Sequence, residues 1–129
     1  MDIKEIRNEN GLIDLFCNLA EIPSPSLKER AVAEYIKSVC DENNILCEFD
    51  NYENLYIYVP ATDESKEPLL LSSHMDVIGD DSPVKTYLDD EGLIHAEGRT
   101  LGADDKAGVA NALYFALWLA KSDIKHGVL

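Results

Sequence analysis

The sequence predicts an α/β protein, a mixed and mainly buried sheet flanked by helices, and three observations lead there. Apolar residues recur at helical spacing in three segments, short apolar runs bounded by turn residues occupy several others, and one run places Leu69, Leu70 and Leu71 in succession. Three leucines in a row suit a strand covered on both faces, the central strand of a helix-covered sheet. With 129 residues, 46% of them apolar, the chain suffices for one core. Its 25 acidic residues against 11 Lys and Arg give a formal net charge of -14, which repels phosphate backbones and anionic lipid surfaces and excludes nucleic acid and membranes as partners. Periodic apolar runs beside that charge mark a solvated face rather than disorder.

The elements follow from punctuation. After a polar lead containing Ile3 and Ile6, Gly11 interrupts the pattern. Leu12, Leu15, Phe16 and Leu19 then define a helix over 12–21, which Pro23 and Pro25 stop. Ser26 with Glu29 three residues on reads as an N-cap. Ala31, Val32, Tyr35, Ile36 and Val39 form the apolar stripe of a second helix that ends near Asn43 and Asn44. Segments 45–49 and 55–59 read as a hairpin across the turn Asp50-Asn51-Tyr52-Glu53-Asn54, closed by Pro60.

Beyond a polar loop comes the run Pro68–Asp76, and then a second short hairpin of 84–88 with 93–96 around Asp89-Asp90-Glu91-Gly92. Residues 98–102 are irregular. From Asp104 or Asp105 to about Lys121 a helix apolar over most of its circumference belongs in an interior. Gly127-Val128-Leu129 reads as the opening of a further strand, so the chain is expected to be the front part of something longer, with an unpaired edge at Val128 and Leu129 through which copies would form a homo-oligomer.

The start of the chain lacks the apolar run of a signal peptide, and no stretch approaches a membrane span, so a cytoplasmic location is expected. Cys17, Cys40 and Cys47 lack metal-ligand spacing and sit in apolar segments, as reduced buried thiols do. His95 and His126 read as surface or loop residues.

Two constellations carry chemistry. His74-Met75-Asp76 closes the leucine-rich run, and side chains two apart on a strand share a face, at the sheet edge where α/β proteins place ligands. That is the arrangement of a metal-ligating histidine with an orienting carboxylate, although a His and an Asp at a strand end also cap loops. The second is Leu101-Gly102-Ala103-Asp104-Asp105-Lys106-Ala107-Gly108 at the mouth of the long helix. On spacing alone its aspartates are helix caps. The two acidic turns together, joined by an irregular connection, are able to converge on one ion.

With these motifs the sequence resembles the M20 clan of co-catalytic zinc metallopeptidases, and within it the tripeptide aminopeptidase branch. Glu21-Ile-Pro-Ser-Pro-Ser26 with Glu29 is similar to the opening signature, Leu69-Leu-Leu-Ser-Ser-His-Met-Asp76 to the first metal motif, and Thr100-Leu-Gly-Ala-Asp-Asp-Lys-Ala-Gly108 to the second. The resemblance implies a phosphorylase/hydrolase-like zinc peptidase fold, with residues 1–129 as the N-terminal part of one catalytic domain and the lid or dimerisation domain outside them. It implies short peptide substrates and two zinc ions. His74 would ligate one zinc, Asp104 would bridge both, and Asp76 would join the catalytic group by orienting His74. A cis peptide is expected between Asp104 and Asp105.

The family also uses an adjacent glutamate pair, the first as general base and the second as ligand, then a further carboxylate and a late histidine. No Glu-Glu pair occurs in this sequence. The chain by itself is therefore expected to bind zinc weakly at most and not to hydrolyse peptides. An M20 deacylase or dipeptidase is the nearest alternative, disfavoured because those branches often carry an Arg-Gly-x-x-Asp-Met-Lys type of second motif. A non-catalytic acidic interaction module is another. A nucleotide-binding domain fits poorly, since two aspartates at a helix start repel phosphate.

Overall fold

The computed structural model describes residues 2–129. The chain opens with two consecutive helices, α1 (Ile3–Glu9) and α2 (Gly11–Ala20), where one was expected. The segment before Gly11 is helical because Asp2 and Glu5 form a reciprocal capping box: the Asp2 carboxylate accepts from the Glu5 N–H at 2.9 Å and the Glu5 carboxylate from the Asp2 N–H at 2.7 Å. Asn10 ends α1 and caps α2, accepting from the Leu12 and Ile13 N–H groups at 3.1 Å. Gly11 thus follows a corner between helices, and the lead is no loose tail.

Helix α3 spans Arg30–Glu42 and buries Val32, Ala33, Ile36 and Cys40; of the stripe read from the sequence Val32 and Ile36 are buried, Tyr35 and Val39 are half-buried and Ala31 is exposed. Its N-cap is Glu29, without a side-chain capping bond, so the expected cap at Ser26 is corrected. Residues before Arg30 form a turn in which Lys28 N–H meets Pro25 O at 2.9 Å, and this carries the Ser26 hydroxyl away from the helix. Strands β1 (Leu46–Phe49) and β2 (Leu55–Tyr58) form the first antiparallel hairpin, with Leu46 opposite Tyr58 and Phe49 opposite Leu55. β3 (Thr86–Leu88) and β4 (Ile94–Ala96) form the second, with Thr86 opposite Ala96.

The α/β class holds, but the sheet of the described residues is two small antiparallel pairs rather than one mixed sheet. Leu69, Leu70 and Leu71 are the departure: they are 50%, 87% and 42% exposed. A doubly buried strand needs a neighbour on each edge and a layer on each face. This run has one backbone bond to a neighbouring segment among the described residues, Leu69 N–H to Val128 O at 2.8 Å. The expected free edge at Val128 and Leu129 is corrected for the same reason. Leu129 exchanges both backbone bonds with Val59, at 2.7 and 3.0 Å, so the end of the chain lies between β2 and the leucine run.

Helix α4 spans Ala103–Lys121, with Asp104 and Asp105 out of helical geometry at its start. One face, Val109, Ala110, Leu113, Ala116 and Leu119, is buried, and Val109 to Ala116 join α2 and α3 in the core; the opposite face leaves Tyr114 and Trp118 about half exposed. The helix is therefore half interior rather than enclosed. Each fully buried Leu or Val here contributes roughly 1.5–3 kcal/mol. Cys17, Cys40 and Cys47 are free and buried as expected, and burial, with Cys47 alongside, pushes the Cys40 thiol up to about 12. No helix among the described residues is long and apolar enough to cross a membrane.

Candidate metal half-site

Three segments far apart in sequence build the site. The segment ending in Asp76 is held by the Pro-Ser-Pro-Ser loop after α2: Ser24, fully buried, donates from Oγ to Met75 O at 2.7 Å, and Val77 N–H donates to Ser24 O at 2.9 Å. These two bonds bracket Met75 to Val77 and so fix the backbone that bears Asp76. The start of α4 is set against the same stretch by Gly102. With φ +74° it occupies the left-handed region, and a Cβ there would lie 2.8 Å from Val77 Cγ1, so only glycine fits.

The two aspartates then divide their roles. Asp105 accepts from the Gly108 N–H at 3.1 Å and caps the helix, as the spacing suggested. Asp104, joined to Asp105 by a cis peptide, is 95% exposed, and its Oδ1 lies 3.1 Å from His74 Nε2. On the other side of the ring, His74 Nδ1 lies 3.0 Å from Asp76 O and 3.1 Å from Asp76 Oδ1. His74, Asp76 and Asp104 are thus brought together, while His95 and His126 lie elsewhere, on β4 and beside Thr62. Partial burial opposes charge on His74. The hydrogen bond with Asp104 and the backbone and carboxylate of Asp76 outweigh it and hold the imidazole above its usual value.

An imidazole nitrogen and a carboxylate oxygen are the donor types zinc takes. Their 3.1 Å separation is close to the about 3.3 Å between ligands around a tetrahedral ion with bonds of roughly 2.0–2.1 Å. The Asp76 carboxylate on Nδ1 leaves the Nε2 lone pair for a metal. The residues fit zinc in kind, as part of a ligand set: among the described residues no group of three or more His, Cys, Asp or Glu side chains is arranged to hold a metal ion. An open groove of about 720 Å³ runs from His74 and Asp76 past Leu70 and Phe49 to Leu113 and Leu129.

Two participants were missed in the sequence. Ser26, read as a helix cap, donates from Oγ to Asp76 Oδ2 at 2.9 Å. Lys106 is 1% exposed, and its ammonium donates to Ile22 O, tying the second motif to the loop that holds the first. Burial, with Arg99 nearby, pulls Lys106 down to about 8. Its signal was present in the spacing, because Lys106 is three, four and seven residues before Val109, Ala110 and Leu113 and so lies on the buried face of α4.

The helix-flanked α/β scaffold that carries these residues is consistent with part of a peptidase catalytic domain, and known peptidases share the fold. The chain is 35% identical to the cytosol non-specific dipeptidase of Escherichia coli over 92% of its own length and 26% of the relative's. It superposes on a tripeptidase from Staphylococcus aureus with a TM-score of 0.82 and 29% identity, covering 91% of this chain and 34% of that one. For the aminoacylhistidine dipeptidase of Vibrio alginolyticus the TM-score is 0.74 and the identity 34%, over 91% and 26% of the two chains. No family model matches the sequence. The chain spans about a quarter to a third of the length of these relatives. Over nearly all of its own length the chain is similar to peptidases of the M20 kind.

Proposed function

We propose that this chain is the N-terminal part of the catalytic domain of a cytoplasmic di-zinc peptidase that removes N-terminal residues from short peptides, in the manner of a tripeptide aminopeptidase. The observation that carries the reading is the approach of His74 Nε2 to Asp104 Oδ1 at 3.1 Å across thirty residues of sequence, with Asp76 on the opposite ring nitrogen. In that role His74 and Asp104 would hold zinc, and Asp76 would fix the ring so that Nε2 faces the ion. Zinc bound there would polarise a scissile carbonyl as a Lewis acid. The residues of this chain supply position: Gly102 and Ser24 hold the two ligand-bearing segments together, and Lys106 anchors them from beneath.

A dipeptidase is the second reading, favoured by identities of 35% and 34% to the two dipeptidases against 29% to the tripeptidase, whose TM-score is the higher. One experiment tests both. Residues of this chain replace the equivalent first third of the Staphylococcus tripeptidase, and the hybrid is assayed on tripeptides and dipeptides with and without zinc. The expected outcome is zinc-dependent release of the N-terminal residue of tripeptides, reduced by at least about a hundredfold in His74→Ala and in Asp104→Ala. A preference for dipeptides would move the assignment to the second reading. Full activity in both variants would remove the ligand roles. The 129-residue chain alone is expected to be inactive, and metal-dependent hydrolysis by it would contradict the incomplete ligand set.

A further inference from the structure

We infer that Ser26 is a positioning residue for the histidine of this site, acting through Asp76. The inference rests on the metal reading above and adds a residue to it. Asp76 has two carboxylate oxygens with different duties: Oδ1 lies 3.1 Å from His74 Nδ1, and Oδ2 accepts the Ser26 hydroxyl at 2.9 Å. A carboxylate held at one oxygen only is free to change its torsions about the Cα–Cβ and Cβ–Cγ bonds and to exchange Nδ1 for water. Held at both, it has one orientation, and so has the imidazole it meets.

The hydroxyl is itself placed by features that serve no helix. Ser26 lies between Pro25, whose φ is fixed by its ring, and Leu27, whose φ of +69° is in the left-handed region. Leu27 is 95% exposed, so no packing selects that conformation. What holds it is the Glu29 carboxylate, which accepts the Leu27 N–H at 2.8 Å. Upstream, the buried Ser24 is bonded on both sides to Met75 and Val77. The loop is thus tied to the Met75–Val77 backbone two residues before Ser26 and bent just after it, which delivers the hydroxyl to Asp76 from fifty residues away. A serine serving only as a helix cap would lie against the first N–H groups of α3, and Ser26 does not.

The test compares the full chain with Ser26→Ala and Ser26→Thr, the latter keeping the hydroxyl. Hα–Hβ coupling constants of Asp76 report its rotamer, and long-range ¹H–¹⁵N NMR at pH 9 reports which nitrogen of neutral His74 carries the proton. The expected result is a single Asp76 rotamer in the wild type and in Ser26→Thr. In Ser26→Ala the couplings average and the ratio of Nδ1–H to Nε2–H tautomers falls at least about twofold. Amide spectra with unchanged dispersion establish that all three chains are folded, and Ser26 is exposed enough for alanine to be tolerated. Couplings and ratio in Ser26→Ala equal to the wild type would overturn the inference. The hybrid enzyme separates the two layers: activity that needs no zinc counts against the metal reading and leaves the positioning result standing, whereas zinc-dependent activity with an unaltered Ser26→Ala spectrum removes Ser26 alone.

Discussion

Two histidine–aspartate pairs occur in this molecule, and they differ in where their partners come from. His95 Nε2 lies 2.7 Å from Asp89 Oδ2, inside one hairpin. Its ring stacks on Tyr87 with centroids 5.3 Å apart, and Asp89 Oδ1 holds the turn by accepting from the Glu91 and Leu93 N–H groups at 3.0 and 2.8 Å. Both of these partners are brought to His95 by β3, β4 and their turn. His74 instead meets Asp104 from thirty residues away, and only because Gly102, Ser24 and Lys106 fix three segments against one another. Closing long loops costs entropy that a hairpin avoids. A pair assembled at that cost, between groups that are half and fully exposed and add little stability, points to chemistry; a pair made by a turn points to the turn.

The largest expected effect breaks the comparison at the metal. In zinc titrations followed by calorimetry, His74→Ala and Asp104→Ala are expected to weaken whatever binding the chain has by at least about tenfold, while His95→Ala and Asp89→Ala leave it unchanged. Equal losses in both sets would mean that zinc is collected by surface carboxylates and that the two pairs are equivalent. The next effect runs the other way. Asp89→Ala removes the acceptor of two turn N–H groups, so hydrogen-exchange protection of the Glu91 and Leu93 amides should fall at least about threefold, with Asp104→Ala leaving those amides at wild-type protection. Unchanged protection in Asp89→Ala would show that strand pairing alone holds the hairpin.

The same contrast explains what the sequence made legible. Both hairpins, with their turns at 50–54 and 89–92, and the Val32 and Ile36 positions of the α3 stripe depend on residues close in sequence, and turn chemistry and periodicity reveal them. The triad His74, Asp76 and Asp104 was legible through motif resemblance, because spacing within each motif survives even when the distance between motifs in space does not show. Leu69 to Leu71 were misread because a run of leucines states a demand for burial and says nothing of whether neighbours meet it. Ser26 was misread because a serine three residues before a glutamate fits a capping box equally well, and only the fold shows that its partner is Asp76. α1 was missed because Gly11 was weighed above the Asp2 and Asn10 caps that bracket the segment.

A smaller effect sharpens the comparison by asking which titrating groups govern folding. The side chain of His74 is 52% exposed, so solvent screens its pairs and they should not dominate the pH dependence of stability. Cys40 has no exposure, and burial lifts it from 9.0 to about 12. The sign follows from proton counting. Between these values the unfolded chain has released the thiol proton and the folded chain retains it, so the stabilisation is complete below pH 9 and is lost as pH rises towards 12. Lys106 opposes it over part of the range: with its folded value near 8 against 10.5, the unfolded chain binds the extra proton and stability rises with pH between the two. The wild-type curve alone therefore blends two slopes. Comparison with Cys40→Ala separates them, because the variant keeps the lysine contribution and loses the thiol contribution. In urea unfolding the stability difference between wild type and Cys40→Ala should narrow by about 1 kcal/mol from pH 8 to pH 10. Parallel curves would mean that the Cys40 thiol ionises as readily in the folded core as in the open chain, and the pH dependence in this range would then rest on Lys106.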